Sequence, residues 1–353
     1  MYSKMTSLGQ KRSAENASGA PDSKKQHMSW DGMDILSIRQ FDADRLQFLC
    51  DQADRFRAIV KESGKCELLR GKILANVFFE ASTRTSCSFQ AAMLRLGGDV
   101  LPLNESASSS KKGETLSDTI RCLECYADVT VLRHPVKFSA REAAAAATKP
   151  VINAGDGANE HPTQALLDFY TIAAEIPQFF EDGAAGRVVA MVGDLKHGRT
   201  VHSLARLLAL FKCTLCLVSP AALRLPEEVQ TDVRDIAKAA GTAGAAAGGS
   251  SFALTEHENL SDVIGECDIV YVTRIQRERF ESTEAYEAVR GSYVIDSRMM
   301  SGAKAQMALM HPLPRVGEIT EEVDSDPRAA YFRQMENGLY VRMALLALVL
   351  GKA

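Results

Sequence analysis

The chain has 353 residues, 46% of them hydrophobic and 24% charged, with a formal net charge of -4. This is a globular composition, and the length exceeds the roughly 250–300 residues at which a single core stops growing, so two domains are expected. The near-neutral balance implies no nucleic-acid or membrane partner, though cations can still be concentrated in one cleft. No apolar run reaches membrane-span length, no apolar signal core opens the sequence, and eight cysteines in so long a chain point to a reducing, cytoplasmic compartment rather than a disulfide framework.

Residues 1–33 read as a polar tail without periodicity and are expected to be disordered. Its basic pairs Lys11-Arg12 and Lys24-Lys25 are read as solvated charge, and Glu15 and Asp22 argue against a transit peptide. Over 41–60, apolar residues recur at helical spacing (Leu46, Leu49, Ala53, Phe56, Val60). Residues 72–79 form a short apolar run, read as a buried strand. A helix over 86–96 ends at Gly97-Gly98, 100–103 reads as a strand, and 105–112 as a polar, Ser-rich loop. Helix 115–126 and strand 129–132 follow. Beyond the middle, helix 162–176, strand 187–192, helix 200–211, strand 214–218 and helix 227–240 alternate. After a small-residue loop over 241–251, strands are predicted at 269–273 and 293–295, and an apolar helix over 340–350. This alternation predicts an α/β fold of two domains, each a parallel sheet flanked by helices. In such sheets ligands sit at the carboxyl ends of strands, so the loops that follow strands carry the functional reading.

The first such loop, Glu80-Ala81-Ser82-Thr83-Arg84-Thr85, joins an apolar strand to a helix. Free N–H groups at a helix start, three hydroxyls and one planar guanidinium make a phosphate cradle without a glycine-rich loop. Taken alone it also reads as a capped helix start with a surface arginine. Arg133 closes the strand at 129–132 with a cation, beside His134, which is read as structural. Asn153 to Gly157 is turn-rich, and His161-Pro162-Thr163-Gln164 opens a helix with proline at its first position. Gly193-Asp194-Leu195-Lys196-His197-Gly198-Arg199-Thr200 nearly spells a nucleotide P-loop, but Arg199 stands where that motif needs lysine and no acidic strand end for Mg²⁺ is evident. Arg199 suits a carboxylate better. Arg274 and Gln276 close another strand, and two anchoring arginines fit a substrate with two carboxylates. No metal site or cofactor is implied. The pairs Cys122/Cys125 and Cys213/Cys216 are read as small buried hydrophobes rather than zinc ligands.

The strings S-T-R-T at 82–85, H-P-T-Q at 161–164 and H-P-L-P at 311–314, with the basic loop at 108–115, occur in one order along the chain. In this the chain resembles the aspartate/ornithine carbamoyltransferase family over about residues 35–353. The resemblance implies transfer of a carbamoyl group from carbamoyl phosphate to the α-amine of L-aspartate, the second step of de novo pyrimidine synthesis, with no cofactor. H-P-L-P, where ornithine enzymes usually carry H-C-L-P, favours aspartate. It further implies that Ser82, Thr83, Arg84 and Thr85 hold the phosphate. Arg133 would reach phosphate and carbonyl oxygen, His161 the carbonyl oxygen, and Gln164 the carbamoyl nitrogen. Ser108 and Lys112 would serve the site of an adjacent chain, making a homotrimer with shared sites. Arg199 and Arg274 would hold aspartate, assisted by Gln276 and Lys112, and the carbonyls of Leu313 and Pro314 would accept from the amine and the carbamoyl NH₂. Glu80 would pair with Arg199 and Arg279 across the cleft. The implied domains are 34–161 plus 338–353 for carbamoyl phosphate and 162–337 for aspartate. Three alternatives stay open: a carbamoyltransferase for another amine such as ornithine, a non-catalytic binding paralogue, and the P-loop reading.

Overall fold

The computed structural model describes residues 30–104, 113–243, 251–275, 280, 282–287, 289 and 291–353. Its first half runs α1 (Ala43–Ser63), β1 (Ile73–Phe78), α2 (Thr83–Arg95), β2 (Asp99–Asn104), α3 (Leu116–Glu124), β3 (Val129–His134), α4 (Ser139–Ala146), β4 (Val151–Asp156) and α5 (Pro162–Glu175). The second half runs β5 (Val188–Val192), α6 (Arg199–Leu208), β6 (Thr214–Val218), α7 (Glu227–Ala239), β7 (Ala253–His257) and β8 (Ile269–Val272). The one-turn helices α8 (Thr283–Glu287) and α9 (Ser297–Ser301), then β9 (Ala308–Met310) and α10 (Tyr331–Val349), complete it.

All described strand pairs are parallel, in two sheets ordered β2-β1-β3-β4 and β7-β6-β5-β8-β9. The inner strands β1, β3, β5, β6 and β8 are rich in Val, Ile and Leu and buried along most of their length, as helices on both faces require. Each sheet has one switch point, where successive crossovers leave in opposite directions: between β1 and β3 in the first, and between β5 and β8 in the second. In register, Phe78 lies beside Arg133 and Val192 beside Val272, so the chain leaves each switch point into the segments that carry the predicted ligands.

Local chemistry sets the helix ends. Asp42 caps α1 by accepting from the Arg45 N–H at 2.8 Å, and Thr115 caps α3 through Asp118 N–H at 3.1 Å. Helix α10 lies against α1, α2 and α5 and is buried over most of its length. It returns the end of the chain to the first half.

Several expectations shift. Trp30, placed in the tail, is only 5% exposed and packs on Phe41 with ring centroids 5.8 Å apart; residues 1–29 lie outside the described residues. The stretch taken as turn-rich, 153–157, is mostly β4, with Asn153 and Asp156 buried and hydrogen-bonded to each other at 3.1 Å. Helix α4, edge strand β7 and the three-residue β9 were not anticipated. The predicted strand at 293–295 reduces to a single bridge, Ile295 to Ile319. The last helix begins at Tyr331 rather than 340, because its first turns carry polar residues (Arg333, Gln334, Glu336, Asn337) that mask the helical run.

Candidate active site

Between the carboxyl ends of the two sheets lies a cleft of about 990 Å³. Its walls bring together Ser82, Thr83, Arg84, Thr85, Arg133, His161, Gln164, Arg199, Arg274, Leu313 and Pro314, all expected from the sequence. Ser108, Lys112 and Gln276 lie outside the described residues.

Three helices start at this cleft. Ser82 precedes α2, His161 precedes α5 and Gly198 precedes α6, and none of the three supplies a side-chain capping bond. The first-turn N–H groups and the positive ends of three helix dipoles therefore face one space, which suits an anion. This separates the two readings of the S-T-R-T segment: the Ser82 hydroxyl is not spent on the cap.

The guanidinium groups converge. Arg133, with its side chain 11% exposed, meets Glu80 Oε1 through Nη2 at 3.2 Å and the Ala154 carbonyl through Nη1 at 3.3 Å. Arg199 donates to the Gly157 carbonyl. A Cβ built on Gly155, whose φ is +117°, would stand 3.1 Å from Arg133 Nη1 and 3.5 Å from Arg199 Nη2, so the end of β4 underlies both groups. Arg84 donates to the Leu313 carbonyl at 3.1 Å. Burial, and then the charges of Arg133 and Arg274, hold the Arg84 guanidinium below its ordinary range. Burial is the larger cause, and the two neighbouring guanidiniums add to it. The Glu80 ion pair is with Arg133; Arg279, expected to share Glu80 with Arg199, lies outside the described residues.

His161 is 6% exposed, with Nε2 3.5 Å from the Thr85 hydroxyl and Nδ1 3.4 Å from that of Thr163. Burial first, then Arg133, Arg199 and Arg342, hold it well below the usual 6.5. The imidazole is thus neutral, a dipole able to donate to a polarised oxygen without adding another charge. The proton resonances of this ring, assigned by His161→Asn, should show no inflection near pH 6.5; an ordinary titration there would contradict the charge crowding.

The H-P-L-P turn is rigidly held. His311 Nδ1 accepts from Leu313 N–H at 2.8 Å, and Nε2 lies 2.7 Å from Glu318 Oε1. Leu313 has a φ of 54°, a left-handed conformation costly for a non-glycine residue unless its neighbours impose it.

The sequence reading missed Asp168, Arg342 and Gln334. Arg342 is 4% exposed, donates to Ser88 at 2.9 Å and lines the cleft; burial lowers it to about 10. A lone arginine in an apolar helix was the available signal. Asp168 stands one turn after Gln164, an i,i+4 pair that was equally visible. The cysteine reading needs correction in part: Cys213 and Cys216 are buried, but Cys122 and Cys125 are exposed. The inward stripe of α3 runs through Thr119, Ile120 and Leu123, which leaves Cys122 outside it, and Cys125 lies at the helix end. Among the described residues no group of three His, Cys, Asp or Glu side chains is placed to hold a metal, and no helix is long and apolar enough to cross a membrane.

Comparison with known proteins places residues 33–174 on the family model described as aspartate/ornithine carbamoyltransferase, carbamoyl-P binding domain, and 185–349 on the Asp/Orn binding domain of the same family. The multifunctional protein pyr1-3 of Dictyostelium discoideum is 48% identical over 91% of this chain, but the match spans 14% of that much longer protein. The aspartate carbamoyltransferase catalytic subunit of Thermococcus gammatolerans is 46% identical, with 92% of this chain and 99% of the subunit covered. Aspartate transcarbamoylase of Trypanosoma cruzi, solved with N-(phosphonacetyl)-L-aspartic acid, superposes with a TM-score of 0.82 at 42% identity, covering 91% of this chain and 97% of that one.

Proposed function

Because the chain belongs to the aspartate/ornithine carbamoyltransferase family, we propose that it transfers the carbamoyl group of carbamoyl phosphate to the α-amine of L-aspartate, releasing phosphate. The observation that carries this is the convergence of Arg84, Arg133, Arg199 and Arg274 with a neutral His161 on one cleft. That field suits two small, multiply charged anions. The relatives named as aspartate carbamoyltransferases support aspartate over ornithine, in agreement with Pro312 in the H-P-L-P turn.

In this reading Ser82, Thr83, Arg84 and Thr85 bind the phosphate and Arg133 spans phosphate and carbonyl oxygen. Arg199 and Arg274, with Gln276, take the two carboxylates of aspartate. The neutral amine attacks the carbonyl carbon; Thr85, Arg133 and His161 stabilise the charge that moves to oxygen. The C–O bond to phosphate then breaks, phosphate leaves with that electron pair, and the amine proton passes to the departing phosphate or to water. Gln164 and the carbonyls of Leu313 and Pro314 orient the nitrogen groups. Positioning and electrostatics supply the acceleration, with no covalent intermediate. For the division into 34–161 plus 338–353 and 162–337, the support is the packing of α10 against α1 and α2; α10 also packs against α5, which stands at the seam. Eight unpaired cysteines fit a cytoplasmic enzyme of pyrimidine synthesis.

Purified protein given carbamoyl phosphate and L-aspartate, without added metal, should release carbamoyl aspartate and phosphate in equal amounts. No product, or faster carbamoylation of ornithine, would overturn the assignment. The proposed homotrimer, with Ser108 and Lys112 entering an adjacent chain's site, has its own test. Mixing inactive Arg84→Ala and Lys112→Gln chains should restore measurable activity through hybrid sites, and no recovery after verified subunit exchange counts against sharing.

A further inference from the structure

Beneath the cleft a single carboxylate gathers three donors. Asp168, on α5 and fully buried, accepts from Gln164 Nε2 at 2.8 Å and Gln334 Nε2 at 2.6 Å on Oδ1, and from the Tyr271 hydroxyl at 2.8 Å on Oδ2. Gln334 in turn accepts the His311 backbone N–H on its Oε1 at 2.9 Å. These partners come from α5, α10, β8 and the turn after β9, so one side chain ties the second sheet to the helices of the first half. Asp168 touches none of the cleft; Gln164 does.

The donor pattern fixes the orientation of both amides. An ionised carboxylate only accepts, so each glutamine must turn its NH₂ toward Asp168. The oxygen of Gln334 then meets the His311 N–H, and the oxygen of Gln164 is left facing the cleft. We propose that Asp168 is a positioning residue: through Gln164 it aims an amide oxygen at the carbamoyl NH₂, and through Gln334 it holds the start of the His311–Pro314 turn, whose carbonyls take the other N–H groups. This deepens the carbamoyl-transfer reading and rests on it. Burial drives Asp168 up to about 6, against the opposing pull of Gln334, Tyr271, Gln164 and Arg342. The three donors keep it ionised at neutral pH, the state the arrangement needs.

The test is a double-mutant cycle. Asp168→Ala should lower kcat/KM for carbamoyl phosphate about ten- to a hundredfold, the effect of losing a charge-assisted hydrogen bond. Asp168→Asn, which keeps an oxygen for the amides, should recover most of it. In a Gln164→Leu background, Asp168→Ala should cost far less than alone; equal loss in both backgrounds would make the role merely structural and overturn the proposal. If Asp168→Ala does not fold, Gln334→Met carries the test. It should lower kcat/KM while leaving the Kd of inorganic phosphate unchanged, because the phosphate cradle is untouched; wild-type kcat/KM, or phosphate affinity falling in parallel, would overturn it. Wild-type protein that forms no carbamoyl aspartate would instead sink the transfer reading. The hub is then read by NMR, from Gln164 side-chain amide protons that exchange slowly in wild type and rapidly in Asp168→Ala; equal exchange in both would overturn it.

Discussion

Arg84→Ala should lower turnover by about 10²–10³-fold and leave the thermal midpoint unchanged or slightly raised. The two halves of this expectation have one cause. Arg84 follows the unspent helix start of α2 and lines the cleft, where burial first, and then the charges of Arg133 and Arg274, lower its basicity. Without an anion these cations repel one another, and the fold tolerates that repulsion because the cores beneath are large and apolar. Removing one cation relieves it. Truncation also deletes the hydrogen bond from Arg84 to the Leu313 carbonyl, but that turn is already fixed by His311 and Glu318. In the proposed reaction the same guanidinium would face phosphate oxygens whose charge grows as the C–O bond breaks, so its absence would be felt most in the transition state. Steady-state kinetics beside a melting curve decide it: a fall in melting temperature matching the lost activity would make Arg84 a structural residue.

What the sequence made legible follows from where the chemistry sits on the strands. β1, β5, β6 and β8 are short apolar runs ending in polar loops, and they were found nearly to the residue. β4 was not, because Asn153 and Asp156 occupy buried positions that a hydropathy reading assigns to a turn; their side chains bond each other and the backbone instead. β7 was hidden by Thr255, Glu256 and His257, polar residues tolerated on an edge strand of a parallel sheet. The cradle was readable because the S-T-R-T string after an apolar strand resembles a family motif; the residues alone fit a capped helix start with a surface arginine equally well. Asp168 and Arg342 were not read, because a buried charge inside an apolar helix becomes intelligible only when its partners arrive from α10, β8 or α2. Local pattern exposes groups presented at strand ends, whereas those that hold them are recognised through contacts distant in sequence.

Gly193→Ala should lower the melting temperature by ~5 °C or more and weaken aspartate use in whatever folds, the cost being at least about 1–3 kcal/mol of backbone strain. Gly193 follows β5 with a φ of +112°, and a Cβ there would stand 2.3 Å from the Thr273 carbonyl oxygen. Glycine is needed because the chain leaving β5 comes close to the chain leaving β8 at the switch point of the second sheet, while on the other side Gly193 N–H donates to the Val218 carbonyl of β6 at 3.0 Å. The resemblance of 193–200 to a nucleotide loop has the same geometric root: a strand-to-helix turn places a glycine first and a cation at the helix start. Any displacement of Thr273 moves Arg274, the next residue, and with it one of the two proposed carboxylate anchors. Gly302→Ala is the matched control, since a Cβ there meets its nearest neighbours at an ordinary 3.6 Å. Equal melting temperatures for the two variants, or a rise in KM for carbamoyl phosphate rather than aspartate in Gly193→Ala, would show that the close approach of the chains leaving β5 and β8 does not set the aspartate half of the site.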